Sequence, residues 1–461
     1  MSTSIEVPSE FREKEYRIRR FQNWITIGFL YSLFYMTRYN FAANATTLQT
    51  IFGWTKGDLG VFETLLPLVY GLAVVINGPL ADKIGGKKSF LIGSVGVILM
   101  NLLFGVAGFA VSQVSVWEGK TLLKDSTLLF GFSKQFLLWG LAIVWSINGY
   151  FQAFGAISIV KINAQWFHVR ERGTFAAIFG VLIRFGLILS FSGTPLLASW
   201  LGWQWAFWGP AILTTIVFVL TFFLVSDTPQ QAGFADLNTG DGDVMTAGEK
   251  INISEVLIKV FTSKTMWMIG VCSMMIGFVR RSVVDAWYPV YFKEVFNVSN
   301  VDIPYQLTAW GIAILGIAGG FVFGIMSDRV YKGRRAPVIV YGFLGMAVML
   351  LLFYAADSYF LNPFLAATMI MMLSFFVNGA HGMVGGAASM DFGGRKAAAT
   401  AAGLIDGFQY LTSALNPFFL SAFIFPMGWQ AWKLWPIPFA LAGALIMSRL
   451  WNVVPKGRSG H

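Results

Sequence analysis

The chain has 461 residues, of which 56% are hydrophobic and 12% charged, with a mean hydropathy of +0.64 and a formal net charge of +10. Apolar windows of about 20 residues recur along it, each long enough to cross a hydrocarbon core, which excludes a soluble fold. The runs do not alternate in polarity, so a transmembrane β-barrel is excluded as well.

Candidate spans fall near 22–44, 60–81, 88–111, 132–163, 173–199, 203–225, 264–292, 305–327, 336–356, 361–388, 397–424 and 430–452. The fold class expected is therefore an all-α membrane protein of twelve transmembrane helices in two six-helix pseudo-symmetric halves. Most Lys and Arg fall in loops on one side, which the positive-inside bias marks as cytoplasmic; the basic charge records topology and not nucleic acid. The expected organisation is a cytoplasmic tail (1–21), a first bundle (22–225), a cytoplasmic linker (226–263), a second bundle (264–452) and a short tail (453–461), with both termini cytoplasmic. Cys272 is the only cysteine, so no internal disulfide can form.

The first span reads YSLFYMTRYNFAANA and carries Arg38 in its middle. An arginine at that depth costs about 2.5–3.5 kcal/mol on insertion scales, so it faces a protein interior or a watery cavity. Tyr31, Tyr35, Arg38 and Ala42 follow a 4, 3, 4 spacing and share one helix face.

The two halves repeat. GPLADKIGGKK around Asp82, Lys87 and Lys88 matches GIMSDRVYKGRR around Asp328, Arg334 and Arg335, and each follows the second span of its half. Arg38 precedes Asp82 by 44 residues and Arg280 precedes Asp328 by 48, which sets both arginines at quasi-equivalent depth on the first span of each half. Two planar guanidiniums converging near a pseudo-twofold axis suit a phosphate-like dianion. Arg281 adjoins Arg280 but points about 100° away on an α-helix, so one of the two is expected to face the cavity centre and spacing does not choose. Asp285 follows them by five and four residues, within reach of either as a neutralising partner.

At this level the chain resembles the organophosphate:phosphate antiporters of the major facilitator superfamily, in TRYNFA, RRSVVDAWYPVYFKEV, GIMSDRVYKGRR and GRKAAATAAG. The resemblance implies exchange of a sugar phosphate, glycerol phosphate or phosphoglycerate for inorganic phosphate by alternating access in a bacterial inner membrane. The sequence shows no metal-ligand spacing, nucleotide-binding glycine loop or nucleophile constellation, so no enzyme, cofactor or metal is expected, and a monomer is. The resemblance also implies Arg38 and Arg280 as the phosphate-binding pair, favouring Arg280 over Arg281, and Tyr31, Tyr35, Tyr70 and Tyr410 as cavity residues, with Lys161 at a position where the family tends to have a base. The Asp82 and Asp328 loops are implied to latch the outward-facing arrangement.

Two departures stand out. Val74 occupies a position where members commonly have Lys, and Ile183 one where glycerol-phosphate members have His. Arg184 beside it either replaces the missing cation or braces the two halves. Asp406 on the eleventh span and His381 on the tenth are the remaining candidates for coupling or charge balance. Other readings are a proton- or sodium-coupled carrier of another organic anion, or a membrane sensor of sugar phosphate that signals to a kinase.

Overall fold

A computed structural model describes residues 9–115, 134–167, 172–234, 262–332, 334–384 and 407–453. Eleven of the described helices are long and apolar enough to cross a membrane. The remaining span, first in chain order, is Ser9–Ala43, whose polar residues lower its hydropathy. Those polar groups are satisfied inside the first bundle: Asn40 Nδ2 donates to Asn101 Oδ1 and to the Ala206 carbonyl, both at 2.9 Å. Asn44 Nδ2 donates to Thr194 Oγ1 at 2.8 Å. Amides bonded across helices hold the first span in register where lipid offers no partner. The segment expected as a polar tail is helical from Ser9 and continuous with that span.

A short helix, Ala45–Phe52, follows on the far face, the face opposite the N-terminal segment, and ends at Gly53 in the left-handed region (φ 60°). The second span, Lys56–Ile84, starts with a capping box in which Thr55 and Asp58 bond each other's backbone N–H. The third is Gly86–Ser115 and the fourth Lys134–Trp166. The fifth runs Arg172–Ile188, passes through a π turn at Leu189–Gly193 and ends as Thr194–Leu201. The sixth is Trp205–Leu224.

In the second half, the seventh span is Lys264–Val279, a π turn at Arg280–Val284, then Tyr288–Phe296. The eighth, ninth and tenth are Ile303–Ile325, Arg335–Tyr359 and Pro363–His381. The eleventh is described over Gly407–Met427, and the twelfth is Trp429–Leu434 followed by Ile437–Ser448. The apolar residues left exposed, such as Leu103, Phe223, Leu351 and Leu445, form the lipid-facing surface.

Within each half the second and fourth spans, and their counterparts the eighth and tenth, pack closely. Small residues allow it: a Cβ on Gly149 would stand 2.6 Å from the Leu66 carbonyl oxygen, and one on Gly316 2.9 Å from Asn378 Nδ2. Polar contacts join the halves from mid-depth to the far face. Asn300 Nδ2 donates to the Ala43 carbonyl at 2.7 Å, Thr46 Oγ1 donates to Asn300 Oδ1 at 3.2 Å, and Lys56 pairs with Glu294 at 2.7 Å.

Candidate functional site

Arg38 and Arg280, from opposite halves, line one buried cavity of about 30 Å³. That is room for water and not for an organic solute, so a ligand enters only when the bundles part.

Arg38 is 6% exposed. Its Nε and Nη2 donate to Gln152 Oε1 at 3.3 and 3.2 Å, and its Nη1 to the Tyr410 hydroxyl at 3.4 Å. Gln152 is itself fixed by donating Nε2 to Thr37 Oγ1 at 3.0 Å. The guanidinium carbon lies 4.9 Å from the Tyr35 ring centre and 4.4 Å from that of Tyr70, within cation–π range. Tyr70 and Tyr410 meet across the halves at 4.3 Å. Among the described residues no carboxylate ion-pairs with Arg38. It is a cation held by neutral oxygens and π faces, which leaves its charge available to a ligand.

Tyr31 lies within electrostatic reach of Arg38, Tyr70 and Tyr410 without being on the wall of the cavity. It meets Tyr35 edge-on at 5.3 Å and packs in a separate cluster with Trp24, Phe34 and Phe90. Val74 packs beside Tyr70, Tyr150 and Tyr410, so the position expected to carry Lys adds apolar surface to the aromatic wall.

Arg280 and Asp285 form an ion pair, Nε to Oδ2, at 2.8 Å. Their spacing of five suits a π turn, whose hydrogen bonds run from i to i+5; here the Asp285 N–H donates to the Arg280 carbonyl at 3.1 Å.

The expectation for Arg281 also changes. Both arginines line the cavity, each turned to its own carboxylate, Arg280 to Asp285 and Arg281 to Glu63, in a stretch that is π-wound from Arg280 to Val284. Arg281 pairs through Nη2 with Glu63 of the second span, and both side chains are under 10% exposed.

The remaining candidates fall in several places. Arg184 donates Nη2 to Asn378 Oδ1 on the tenth span, a bond across the halves, and lies within electrostatic reach of Arg280 and Asp285. The bracing geometry is present, and Arg184 is not on the wall of the cavity. His381 lies within reach of Arg184 and Arg280 and has a buried Nδ1 without a hydrogen-bond partner. Lys161 donates Nζ to the Ala81 carbonyl at 3.0 Å, tying the fourth span to the second away from the cavity.

Lys87 donates Nζ to the Phe222 carbonyl at 2.7 Å and its backbone N–H to Asp227 at 2.6 Å, so it binds within its own half. Lys88 is exposed. Arg334 donates Nε to the Tyr331 carbonyl at 3.3 Å and Arg335 donates Nη1 to Ser327 Oγ at 3.0 Å. Asp406, GRKAAATAAG and the side chains of Asp82 and Asp328 lie outside the described residues.

Sequence reasoning passed over Gln152, Glu63 and Gln409. Glu63 carried a signal, an acid near the start of an apolar span. Gln152 and Gln409 are single amides in long helices, and only their neighbours give them a role.

The sequence profile of the Major Facilitator Superfamily matches residues 27–417. Among curated relatives, a probable hexose phosphate transport protein of Chlamydia trachomatis is 25% identical, over 98% of this chain and 95% of the relative. The glycerol-3-phosphate transporter of Bacillus subtilis is 27% identical, over 95% and 93%. The membrane sensor protein UhpC of Escherichia coli is 24% identical, over 87% and 85%. Among solved structures, a D-xylose–proton symporter shares the fold with a TM-score of 0.70 at 17% identity, over 94% of this chain and 98% of that one. These relatives bear out the resemblance to the organophosphate transporters, and the matched profile makes the chain a multi-pass transport protein, not an enzyme, and a member of the Major Facilitator Superfamily.

Proposed function

We propose that this protein is a secondary active transporter that exchanges a phosphorylated small organic molecule for inorganic phosphate. The observation that carries the reading is one cavity with Arg38 from the first half and Arg280 from the second on its wall. Each planar guanidinium offers paired N–H donors to a phosphate, and a ligand held by both bridges the halves. The relatives named for hexose phosphate and glycerol-3-phosphate support the same ligand class.

Electrostatics gives a reason for exchange. Among the described residues the groups that contact Arg38 are neutral, so without an anion its buried charge disfavours return of the empty carrier. Either phosphate or organophosphate relieves that cost, and the carrier turns over loaded in both directions. Alternating access then follows from rocking one bundle against the other about the midplane. In the expected setting, a bacterial inner membrane with cytoplasmic termini, the contacts at Ala43, Thr46, Lys56, Glu294 and Asn300 would close the periplasmic side.

The test uses purified protein in liposomes loaded with labelled phosphate. External glycerol-3-phosphate or hexose-6-phosphate should release the label, with no imposed ion gradient. Uptake driven only by a pH gradient, with no organophosphate exchange, would replace this reading with that of an ion-coupled anion carrier. Binding without flux would favour a sensor, the activity named for UhpC.

A further inference from the structure

The seventh and twelfth spans pack against each other, with Cys272 Sγ 3.7 Å from the Gly443 carbonyl oxygen and 3.8 Å from Met447 Sδ. Near the face of the N-terminal segment they wall a surface groove of about 510 Å³, against about 30 Å³ for the central cavity. That volume falls in the range of small-ligand pockets, about 300–1,000 Å³. Lys264, the first residue of the seventh span, and Arg449, directly after the twelfth, both line the groove and both are exposed. Among the described residues no carboxylate ion-pairs with either base.

Trp267, 43% exposed, lines the same groove one turn further in. Its ring centre lies 5.4 Å from that of Phe408 on the eleventh span, which holds it in place. An exposed tryptophan beside a base marks the depth of lipid headgroups. Past these residues the lining turns apolar. Met268 and Val271 follow Lys264 at spacings of four and seven, one helix stripe, and Ile446 lines the groove from the twelfth span. Val271 lies about 10 Å further along the helix than Lys264.

This gradient from charge to hydrocarbon selects an occupant. A soluble anion would match the two bases and leave the apolar floor wet. A neutral alkyl chain would match the floor and leave the bases unpaired. A phospholipid with a zwitterionic head would bring its own cation against Lys264 and Arg449. A phospholipid whose head carries a phosphodiester and no cation meets both ends of the groove.

We propose that the groove between the seventh and twelfth spans is a binding site for an anionic phospholipid of the phosphatidylglycerol type. The phosphodiester sits between Lys264 and Arg449, the glycerol head lies beside Trp267, and an acyl chain runs over Met268, Val271 and Ile446. The leaflet is that of the N-terminal segment, the expected cytoplasmic one. The site is separate from the anion cavity, since the two share no lining residue.

Lipid retention by the purified protein tests it. Protein in detergent is mixed with equal amounts of phosphatidylglycerol and phosphatidylcholine carrying the same acyl chains, and native mass spectrometry counts what stays bound. A single phosphatidylglycerol should be retained with about fivefold or greater preference, since one base near an anionic lipid is worth about that factor. Lys264→Gln with Arg449→Gln should reduce the preference to less than about twofold, and each single change should lower it in part. Lys14→Gln with Arg329→Gln, which removes two exposed bases outside the groove, should leave it intact. Excess inorganic phosphate should not displace the lipid. Displacement by phosphate would make the groove a soluble-anion site, and equal retention of the two lipids, or equal loss in both double variants, would reduce it to ordinary lipid contact. Any of the three overturns the proposal.

Discussion

Arg281 of the seventh span and Glu63 of the second form a buried ion pair that crosses from one half of the molecule to the other. Arg281 also reaches the Glu63 carbonyl through the same Nη2, at 3.4 Å. Because the pair lines the cavity and joins the bundles, it must break when they part on that side. Its partners then need water or ligand, since a lone buried charge costs several kcal/mol. Glu63→Gln or Arg281→Gln should each slow phosphate exchange by tenfold or more, as one partner is left uncompensated. The exchanged pair, Glu63→Arg with Arg281→Glu, should recover a substantial part of the rate. Recovery no better than the product of the two single losses would remove the pair from the transport cycle.

The two arginines proposed to hold the anion differ in how they are neutralised, and their substitutions should differ accordingly. Arg38 has neutral partners, Gln152 and Tyr410, whereas Arg280 already has Asp285. Lys in either position keeps charge but loses the fork that grips two oxygens. Each charged hydrogen bond lost is worth about 1.5–3 kcal/mol, so exchange by Arg38→Lys and by Arg280→Lys should fall at least 10- to 150-fold. Substituting Asp285→Asn should weaken exchange less than either, because it removes a competitor for Arg280 as well as a partner. Near-normal exchange in a Lys variant, measured as labelled phosphate efflux, would take that arginine out of the site.

The span count, the two halves and the convergence of Arg38 with Arg280 were legible because each rests on a long-range regularity: apolar length, a duplicated loop, and matched depth from that loop. The reach of Arg281 was not, since its place on the wall goes with its pairing to Glu63 of the other half, and no local pattern encodes that contact. The spacing left Asp285 within reach of either arginine, and the structure pairs it with Arg280, five residues before it. Gln152 was missed for the same reason: its role depends on the fourth span lying against the first, with Thr37 fixing the amide. Tyr31 shares a helix face with Arg38 and lies within its electrostatic reach, and the neighbouring Gly155 leaves room for its ring in the packing of the first bundle.

A second buried pair lies within one half and should behave differently. Lys433 of the twelfth span pairs with Asp357 of the ninth, and Tyr291 of the seventh donates its hydroxyl to Asp357 at 2.7 Å. Lys433 is 0% exposed, and its ammonium sits 5.1 Å from the Tyr291 ring centre. This network ties three spans of one bundle, so it should set stability and not turnover. Asp357→Asn should destabilise the protein by about 3–5 kcal/mol, read as a lower thermal transition in detergent, and Asp357→Leu with Lys433→Met should recover most of it. A transition unchanged by Asp357→Asn would show that the pair contributes little.

The far-face contacts make the last prediction. Thr46 Oγ1 and Asn300 Oδ1 lie 3.2 Å apart across the halves, and Asn300 also holds the Ala43 carbonyl. If the bundles rock, this junction opens once in every cycle, so a short tether across it should stop transport without touching the cavity. The sole native cysteine, Cys272, is buried and leaves a clean background for thiol chemistry. In Thr46→Cys with Asn300→Cys, a short bifunctional thiol reagent should abolish phosphate exchange, and reduction of a cleavable tether should restore it. The single variants treated alike should retain exchange within about twofold. Full activity in the cross-linked double variant, with cross-linking verified by mass, would show that this junction stays shut throughout the cycle and that the halves move about some other axis.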